Sequence, residues 1–572
     1  MKEERLSIFT EPEISFKGEV PLPPNVRPVI VVKGSDYDMG YQYYQQLVQI
    51  FGRWVATHHR EGYVTSGIDR FTGPSFIYEI KHNEFTDDEL TSLKKWEAQI
   101  KQYAPEMIDM YKGMAAGATD AGIQLSYLDV LAHFVGYSSP FARNARGIPE
   151  TAACSGFASW GSTTKDGKLI CASNGDDREN YFSTTIVAFP ETGNNFVYSP
   201  YDVVAFGWAP CHPGMNSKGL AYVHHGGGTH GNEQVSNSIG VPRGVAVLHT
   251  LRFANNASEA WDMQLAYPRG IKAGGLWTDV GGNAFCIECR DPETVRQSGY
   301  IDENDFLFAT NNCISKELGC EGEVYVPHAG WLGAHSMSVS SIPRNLGMWN
   351  MLHHYQGEVD LDFAKMMYRF PGNPPDYPTL EEACAAYSAT SGKGWDQKIC
   401  NQLNSVVGIM LPDNGDEGLY HVSTGCAARV AYPLIPLPDG LSYTIAPTHS
   451  FYQLKLASDP EQVVISARTQ AQYDLYYANV ELRKLNYLNV GYAALDELFN
   501  QAVTEWFCGE FYLSNVISGL TAGNESIYYY AKALRSLTRC QALARQVYNS
   551  LIPPATCPED LGLDSYSDYS SD

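Results

Sequence analysis

The hydrophobic pattern of this 572-residue chain changes twice, and these two changes restrict the fold more than any other feature. Residues 29–150 carry apolar side chains at helical spacing, for example Met39 and Tyr43. After Ala153 this spacing gives way to short apolar segments separated by turn residues, a pattern typical of β-strands. Residues 461–551 return to helical spacing. We therefore expect an α+β fold with helical segments on both sides of a β-rich middle.

The same changes, together with local composition, predict six segments. The start of the chain is Pro-rich and its end is acidic and Ser-rich, so neither is expected to form regular structure. A second Pro-rich stretch separates the strands from the last helices. In chain order the predicted segments are a leader (1–28), a mostly helical region (29–153), a β-rich core (154–430), a linker (431–460), a helical extension (461–551) and an acidic tail (552–572).

Individual elements are predicted by the same periodicities. Helices are expected over residues 34–59, 89–114 and 245–265, where apolar residues recur at helical spacing. Two strands, in CSGFASW and KLICASN, are expected to form a hairpin around a turn at Asp166 and Gly167.

Composition excludes several classes of partner. The formal net charge of −24 repels phosphate backbones and anionic lipid, so neither nucleic acid nor a membrane is an expected partner. No run of about 18 apolar residues occurs, so no membrane-spanning helix is expected. The sequence begins without a signal-peptide pattern, and its thirteen cysteines are scattered. We therefore expect a reducing compartment, the cytoplasm, and no disulfide framework.

One cysteine stands out by its neighbours. Small residues surround Cys154, which opens the first strand of the predicted hairpin. The hairpin ends in a polar cluster that includes Asn174 and Asp176. These residues alone allow a thiol nucleophile beside carboxylates, but they favour a small buried cysteine, because unpaired cysteines are usually buried apolar side chains.

A histidine-rich loop offers two competing sites. The segment 224–231, HHGGGTHG, resembles the oxyanion loop of lipases and esterases, but the chain lacks the G-x-S-x-G turn that those enzymes require. Its histidines have no Cys or carboxylate partner at a standard metal-ligand spacing, and there is no H-E-x-x-H motif. We therefore expect no metal, and this loop is interpreted as lining a cleft.

Six short segments share their order and spacing with one enzyme family. They are GSDYDMGYQYYQQL, MYKGMAAGATDAGIQLSYLDVL, CSGFASWG followed by KDGKLICASNGDD, MNSKGLAYVHHGG, FATNN and SVSSIPR. Together they resemble the acyl-coenzyme A:6-aminopenicillanic acid acyltransferases, a family of self-processing N-terminal-nucleophile (Ntn) hydrolases related to choloylglycine (bile salt) hydrolases. The resemblance spans residues 29–430 and leaves the helical extension unexplained.

The resemblance implies a fold and a reaction. The fold would be a four-layer αββα Ntn sandwich, here with a C-terminal helical extension. The chain would cut itself between Ala153 and Cys154, and Cys154 would then open linear amides through a thioester. The freed α-amine, with a pKa of about 7.7–8.0 in model peptides, would serve as general base. No cofactor or metal is implied, and the expected partner is a small-molecule amide or acyl donor.

The resemblance also assigns roles to individual residues. Beside the nucleophile Cys154, it implies that Asp176 orients the new amine, Asn311 donates to the oxyanion, Arg344 supports the site electrostatically, and Asn174, His225 and Asn312 lend further support. The chain departs from the family at Ala153, often glycine there, and at Ser173, an arginine in bile salt hydrolases. The second oxyanion asparagine of bile salt hydrolases falls near His225 or Gly226 in this chain.

A non-enzymatic alternative remains open at this point. An unprocessed chain of the same fold would act as a binding or assembly module through its helical extension, because fold alone does not imply catalysis. A second copy of the chain is then a candidate partner, and a homo-oligomer a candidate assembly.

Overall fold

A computed structural model of the protein describes most of its helices and strands. It describes residues 26–61, 76–79, 85–135, 153–176, 184–200, 213–223, 239–268, 275–290, 293–299, 303–310, 325–326, 330–331, 341–368, 404–413, 418–423, 435–436, 442–443, 451–487 and 493–551. The structure is a mixed fold with two large sheets and, within these residues, eleven α-helices.

The helices lie mainly at the two ends of the chain. They are α1 Asp36–Thr57, α2 Asp87–Tyr103, α3 Glu106–Asp120, α4 Tyr127–Val135, α5 Arg243–Phe253, α6 Ala257–Ala266, α7 Ser341–His354, α8 Leu361–Met367, α9 Pro460–Tyr487, α10 Ala493–Ile517 and α11 Asn524–Leu551. None of the helices in the described part is both long enough and apolar enough to cross a membrane.

Two of the predicted helices are divided in the structure. The helix expected over 89–114 is two helices, because Pro105 lies between them and cannot donate a backbone hydrogen bond inside a helix. The helix expected over 245–265 ends at Phe253, and a new helix begins after Asn256, whose side chain accepts a hydrogen bond from the Glu259 N–H.

The strands build two large sheets and three small ones. They are β1 Val29–Gly34, β2 His58–Glu61, β3 Phe76–Glu79, β4 Ala153–Ser159, β5 Ile170–Asp176, β6 Thr185–Pro190, β7 Phe196–Tyr198, β8 Gly214–Asn216, β9 Leu220–Val223, β10 Gly275–Asp279, β11 Ala284–Arg290, β12 Glu293–Gln297, β13 Phe306–Ala309, β14 Tyr325–Val326, β15 Gly330–Trp331, β16 Asn404–Leu411, β17 Leu419–Ser423, β18 Ile435–Pro436, β19 Ser442–Tyr443 and β20 Phe451–Lys455.

The two large sheets are almost entirely antiparallel. In the described residues one sheet has eight strands in the order β1-β6-β7-β8-β9-β10-β11-β12, with β1 and β6 parallel. The other has six strands in the order β13-β4-β5-β16-β17-β20. The predicted hairpin is its β4–β5 pair, and Gly167 in the connecting turn has φ +76°. The linker expected over 431–460 differs from the structure, since its end forms the edge strand β20.

Three buried clusters show how the layers pack. The first joins α1–α6 to one face of the eight-stranded sheet, through side chains such as Ile30 and Tyr222. The second fills the space between the two sheets and continues into α9–α11, with Ala158 and Leu276 among its members. The third joins the opposite face of the six-stranded sheet to α7 and α8, and contains Phe157. Alternate residues of one strand therefore serve different cores.

Glutamine side chains cover one edge strand of each large sheet, β1 and β20. The Gln46 amide accepts a hydrogen bond from Val31 N–H at 3.2 Å and donates one to Val31 C=O at 2.6 Å. Gln541 on α11 makes the same pair of bonds with Gln453 on β20, at 2.8 and 3.3 Å. Unpaired edge strands can associate with strands of other molecules. The helical extension therefore has a structural role, because its α11 covers the edge strand β20.

Replacing Gln541 with leucine is expected to destabilise the fold by about 1–3 kcal/mol. The substitution keeps the side-chain volume but leaves the Gln453 N–H and C=O without the amide that binds them. Urea unfolding of the variant measures the loss. Gln501→Leu, on an exposed position of α10, is the matched control, and an equal loss in both variants would contradict an edge-covering role for Gln541.

Candidate active site

Cys154 lies near the start of β4, inside the six-stranded sheet. Its Cα is opposite Gly175 of β5, and the residue is 1 % exposed. Side chains alternate along a strand, so Cys154 lies on the same side as Ala158, which packs between the two sheets. Phe157 lies on the other side, against α7 and α8. The thiol therefore lies on the side of β4 that faces the eight-stranded sheet, and it is shielded from solvent in the uncut chain.

Arg344 is brought directly to the candidate nucleophile. Its fully buried guanidinium, on α7, donates from Nη1 to the Cys154 carbonyl oxygen at 2.6 Å and to Ser155 Oγ at 2.7 Å. Arginine stays protonated in proteins, so this contact places a fixed positive charge at the first peptide unit after the thiol.

Asn174 holds the same strand from the other side. Its Oδ1 accepts a hydrogen bond from the Ser155 N–H at 2.6 Å, and both residues are fully buried. Asn174 is directly opposite Ser155 in the β4–β5 register. Asn174 therefore fixes the backbone beside Cys154.

Asp176 ends β5 next to the proposed cleavage position. Its backbone is opposite Ala153 in the antiparallel register, a spacing of about 4.5–5.5 Å between Cα atoms. The side chain of Asp176 lies outside the described part of the structure. The register thus brings together the chain positions of Asp176 and of the Ala153–Cys154 bond.

The three remaining candidates, Asn311, Asn312 and His225, lie outside the described residues. The strand that precedes the two asparagines is nonetheless placed, since β13 pairs with β4 and Ala309 is opposite Gly156. Thr310, the last described residue before them, is fully buried. Among the described residues, no cluster of three or more His, Cys, Asp or Glu side chains has the geometry of a metal site.

Two site residues escaped sequence reasoning. Ser155 is bound through both its N–H and its hydroxyl, and the Tyr368 hydroxyl lies 3.3 Å from its carbonyl oxygen. The same hydroxyl is 3.0 Å from the Ala172 carbonyl oxygen, so its single proton is shared between β4 and β5. The Tyr368 ring also stacks on Phe157. Tyr368 follows α8 and is over 200 positions from Ser155, so no local pattern marks it.

Two other cysteines in the described part, Cys171 and Cys540, are core residues. Burial raises the pKa of the Cys171 thiol well above its usual value, and burial does the same to the pKa of Cys540. Cys171 packs between the sheets and Cys540 inside the helical extension. A thiol with a raised pKa stays protonated at neutral pH and is a poor nucleophile, because the thiolate is the reactive form.

Cys171 and Cys540 are expected to stay unmodified when the folded protein meets iodoacetamide at pH 7–8. A raised pKa moves thiolate formation to higher pH, and burial excludes the reagent. Peptide mapping by mass spectrometry checks this, with urea-unfolded protein as the fully labelled reference. Rapid labelling of either thiol in folded protein would show that these cores open readily.

Comparison with known proteins gives a similarity among solved structures only at the level of the chain's overall structure. No protein-family model matches the sequence, and no curated protein matches it. Among solved structures, a variant of the conjugated bile acid hydrolase from Clostridium perfringens is similar at 12 % identity. The match covers 47 % of this chain and 89 % of that chain, with a TM-score of 0.25. A similarity this weak gives no support to any function, so a proposed function must rest on the contacts of the residues themselves.

Proposed function

We propose that this protein is a self-cleaving cysteine Ntn amidohydrolase or acyltransferase built on a four-layer αββα sandwich. The observation that carries the proposal is the contact of the buried Arg344 guanidinium with the Cys154 carbonyl and Ser155 hydroxyl. A buried charge is costly unless it is bound, so its placement at this thiol needs a reason. The packing of helices on the outer faces of two facing sheets supports the same proposal.

The first reaction would be the cut between Ala153 and Cys154. Cys154 Sγ attacks the Ala153 carbonyl carbon, the C–N bond breaks, and the thiol proton passes to the departing nitrogen. Water then hydrolyses the resulting thioester and leaves a carboxylate on Ala153 and a thiol and amine on Cys154. Because the attack is intramolecular, a cysteine that is 1 % exposed needs no access to an external reagent.

The second reaction would open a small-molecule linear amide. The new α-amine is near its neutral point at working pH, so it takes the proton of its own thiol. Asp176 would hold this amine, and Asn311 or Asn312 would donate to the developing oxyanion, with His225 as a further donor. A well-aimed side-chain amide of this kind contributes about 3 kcal/mol. Water as acceptor gives hydrolysis, and an amine gives acyl transfer.

The reaction sets the environment that the protein requires. A thiol nucleophile must be reduced, and we place the protein in the cytoplasm, where thiols stay reduced. Its proposed partner is a small-molecule amide or acyl donor, without cofactor, metal, nucleic acid or membrane.

Intact mass spectrometry with iodoacetamide tests the proposal. The wild-type chain is expected to give fragments 1–153 and 154–572, with the label on Cys154 of the second. Cys154→Ala is expected to remain whole, whereas Cys508→Ala, which removes a thiol on α10, is expected to be cut like the wild type. A wild-type chain that stays whole after long incubation, with Cys154 unlabelled, would contradict the proposal.

One observation favours an alternative function. Tyr473, Tyr476 and Tyr477 on α9 expose 56, 62 and 53 % of their surface, which is typical of an interaction surface. An uncut, non-catalytic chain could use this surface for binding or for assembly with a second copy. The intact-mass experiment separates the two functions, because only the enzyme requires the cut.

A further inference from the structure

Ser155, the residue after the candidate nucleophile, is bound at every polar group by a side chain from another element. Its N–H donates to Asn174 of β5 at 2.6 Å, and its Oγ accepts from Arg344 of α7 at 2.7 Å. Its carbonyl oxygen lies 3.3 Å from the Tyr368 hydroxyl after α8. All four residues are fully buried. A strand residue usually bonds through the backbones of its neighbours, so Ser155 departs from the ordinary pattern of a sheet.

The position of Ser155 gives these bonds a purpose. Described pairing of β4 with β13 begins at Gly156, whereas pairing with β5 extends to Ala153. Along β4, Ser155 therefore lies between Cys154 and the first residue that pairs with β13. Side chains from the helix layer hold it in this position. Arg344 also binds the Cys154 carbonyl oxygen, so the same set of bonds holds the backbone of the candidate nucleophile.

A cut before Cys154 would make these contacts necessary to hold Cys154 in place. Chain ends fray unless other contacts hold them, and the cut would turn Cys154 from an internal residue into a chain terminus. A displacement of 1 Å at a reacting group costs about 10²-fold in rate. The bonds to Ser155 are all on the fragment that keeps Cys154, so they survive the cut.

We propose that Ser155 and Tyr368 are positioning residues that hold Cys154 in place for attack. The proposal rests on the proposed function, since it assumes that Cys154 is the nucleophile. Tyr368 acts through the shared hydroxyl proton that ties the Ser155 and Ala172 carbonyl oxygens, and thus β4 to β5. Ser155 acts through its hydroxyl, which receives the Arg344 bond.

Tyr368→Phe tests the role of the hydroxyl, and Tyr452→Phe is its matched control. Phenylalanine keeps the ring that stacks on Phe157 and removes only the oxygen. The Tyr452 hydroxyl is equally buried and also has two partners, Thr185 Oγ1 at 2.7 Å and Arg27 O at 3.1 Å. It lies on β20, four strands from β4, which is about 19 Å away.

The full-length chain is made in a cell-free system, and the loss of uncut chain is followed with time. Tyr368→Phe is expected to cut itself about 10- to 100-fold more slowly than wild type, and Tyr452→Phe at the wild-type rate. Thermal unfolding midpoints of the two variants are expected to fall by similar amounts. Ser155→Ala is expected to be slowed like Tyr368→Phe.

A second readout separates positioning from a purely structural role. The rate at which iodoacetamide labels Cys154 is measured against pH in cut protein. Its midpoint is expected to move toward that of an ordinary thiol in Tyr368→Phe and Ser155→Ala, and to stay at the wild-type position in Tyr452→Phe.

The outcomes distinguish the two proposals. A wild-type chain that is cut, with both site variants cut and labelled as fast as Tyr452→Phe, overturns the positioning role and leaves the proposed function standing. A wild-type chain that remains whole with an unreactive Cys154 overturns the proposed function and the positioning role together.

Discussion

Gly113→Ala is expected to destabilise the protein by at least about 4 kcal/mol, although alanine usually stabilises a helix relative to glycine. The reason is the crossing of α1 and α3. A Cβ on Gly113 would lie 2.0 Å from the Tyr37 carbonyl oxygen, and a Cβ on Gly40 would lie 2.0 Å from the Met110 carbonyl oxygen. Both obstacles are backbone atoms, so the helices would have to separate and open the first buried cluster.

The amount of soluble protein and its urea unfolding curve measure this effect. A loss of this size is a large share of the 5–15 kcal/mol that stabilises a typical domain, so we expect little folded Gly113→Ala. Gly509→Ala is the graded control, because there a new Cβ meets the end of the Leu537 side chain, which can shift. Equal losses in the two variants would contradict a backbone crossing as the cause.

The second large effect is expected from Glu303→Ala, at about 3–5 kcal/mol. Glu303 forms an ion pair with Arg296 in which both side chains are fully buried. Arg296 also donates to the Phe308 carbonyl oxygen, so it ties the last strand of the eight-stranded sheet to β13 of the other sheet. Removing the carboxylate takes away the charge that offsets the burial of Arg296.

Chemical unfolding of Glu303→Ala measures the loss, with two comparisons. Asp109→Ala breaks the exposed pair with Lys112 and is expected to cost less than about 0.5 kcal/mol. The double variant Arg296→Met with Glu303→Leu is expected to recover most of the stability, because apolar residues of similar volume need no charge partner. A double variant as unstable as Glu303→Ala would contradict an electrostatic origin.

Local structure could be predicted where the signal is local. The hairpin of β4 and β5 and the helix α1 follow from alternation, turn residues and helical spacing. The division at Pro105 was visible in the sequence but was outweighed by apolar spacing on both sides of it. The edge strand β20 was missed because five residues beside a Pro-rich stretch carry little periodic signal.

The candidate site divides in the same way. Residue chemistry and the family resemblance point to Cys154, Asp176, Asn174 and Arg344, and the fold places the last two in contact with β4. The roles of all these residues, and those of Asn311, Asn312 and His225, stay predictions. Tyr368 had no sequence signal, since its contact with Ser155 joins residues that only folding brings together.

The resemblance itself gains a physical explanation in one segment. Gly40 and Gln42 belong to the first of the six segments on which the resemblance rests. Gly40 allows the close crossing with α3, and Gln42 bonds the backbone of Lys33 on the edge strand at 2.8 and 2.9 Å. Both residues therefore build the fold, and neither needs a role in catalysis.

By itself the sequence determined the succession of a helical, a β-rich and a second helical region, the change of pattern at Ala153 and the cysteine that begins the new pattern, since these depend on neighbouring residues. Only the tertiary structure decided that Arg344, Asn174 and Tyr368 meet beside that cysteine, and that glutamines cover the sheet edges. The physical reason is the separation along the chain over which each interaction acts. Periodicity reports which side of an element is buried, whereas hydrogen bonds and backbone approaches between distant segments depend on how the elements pack.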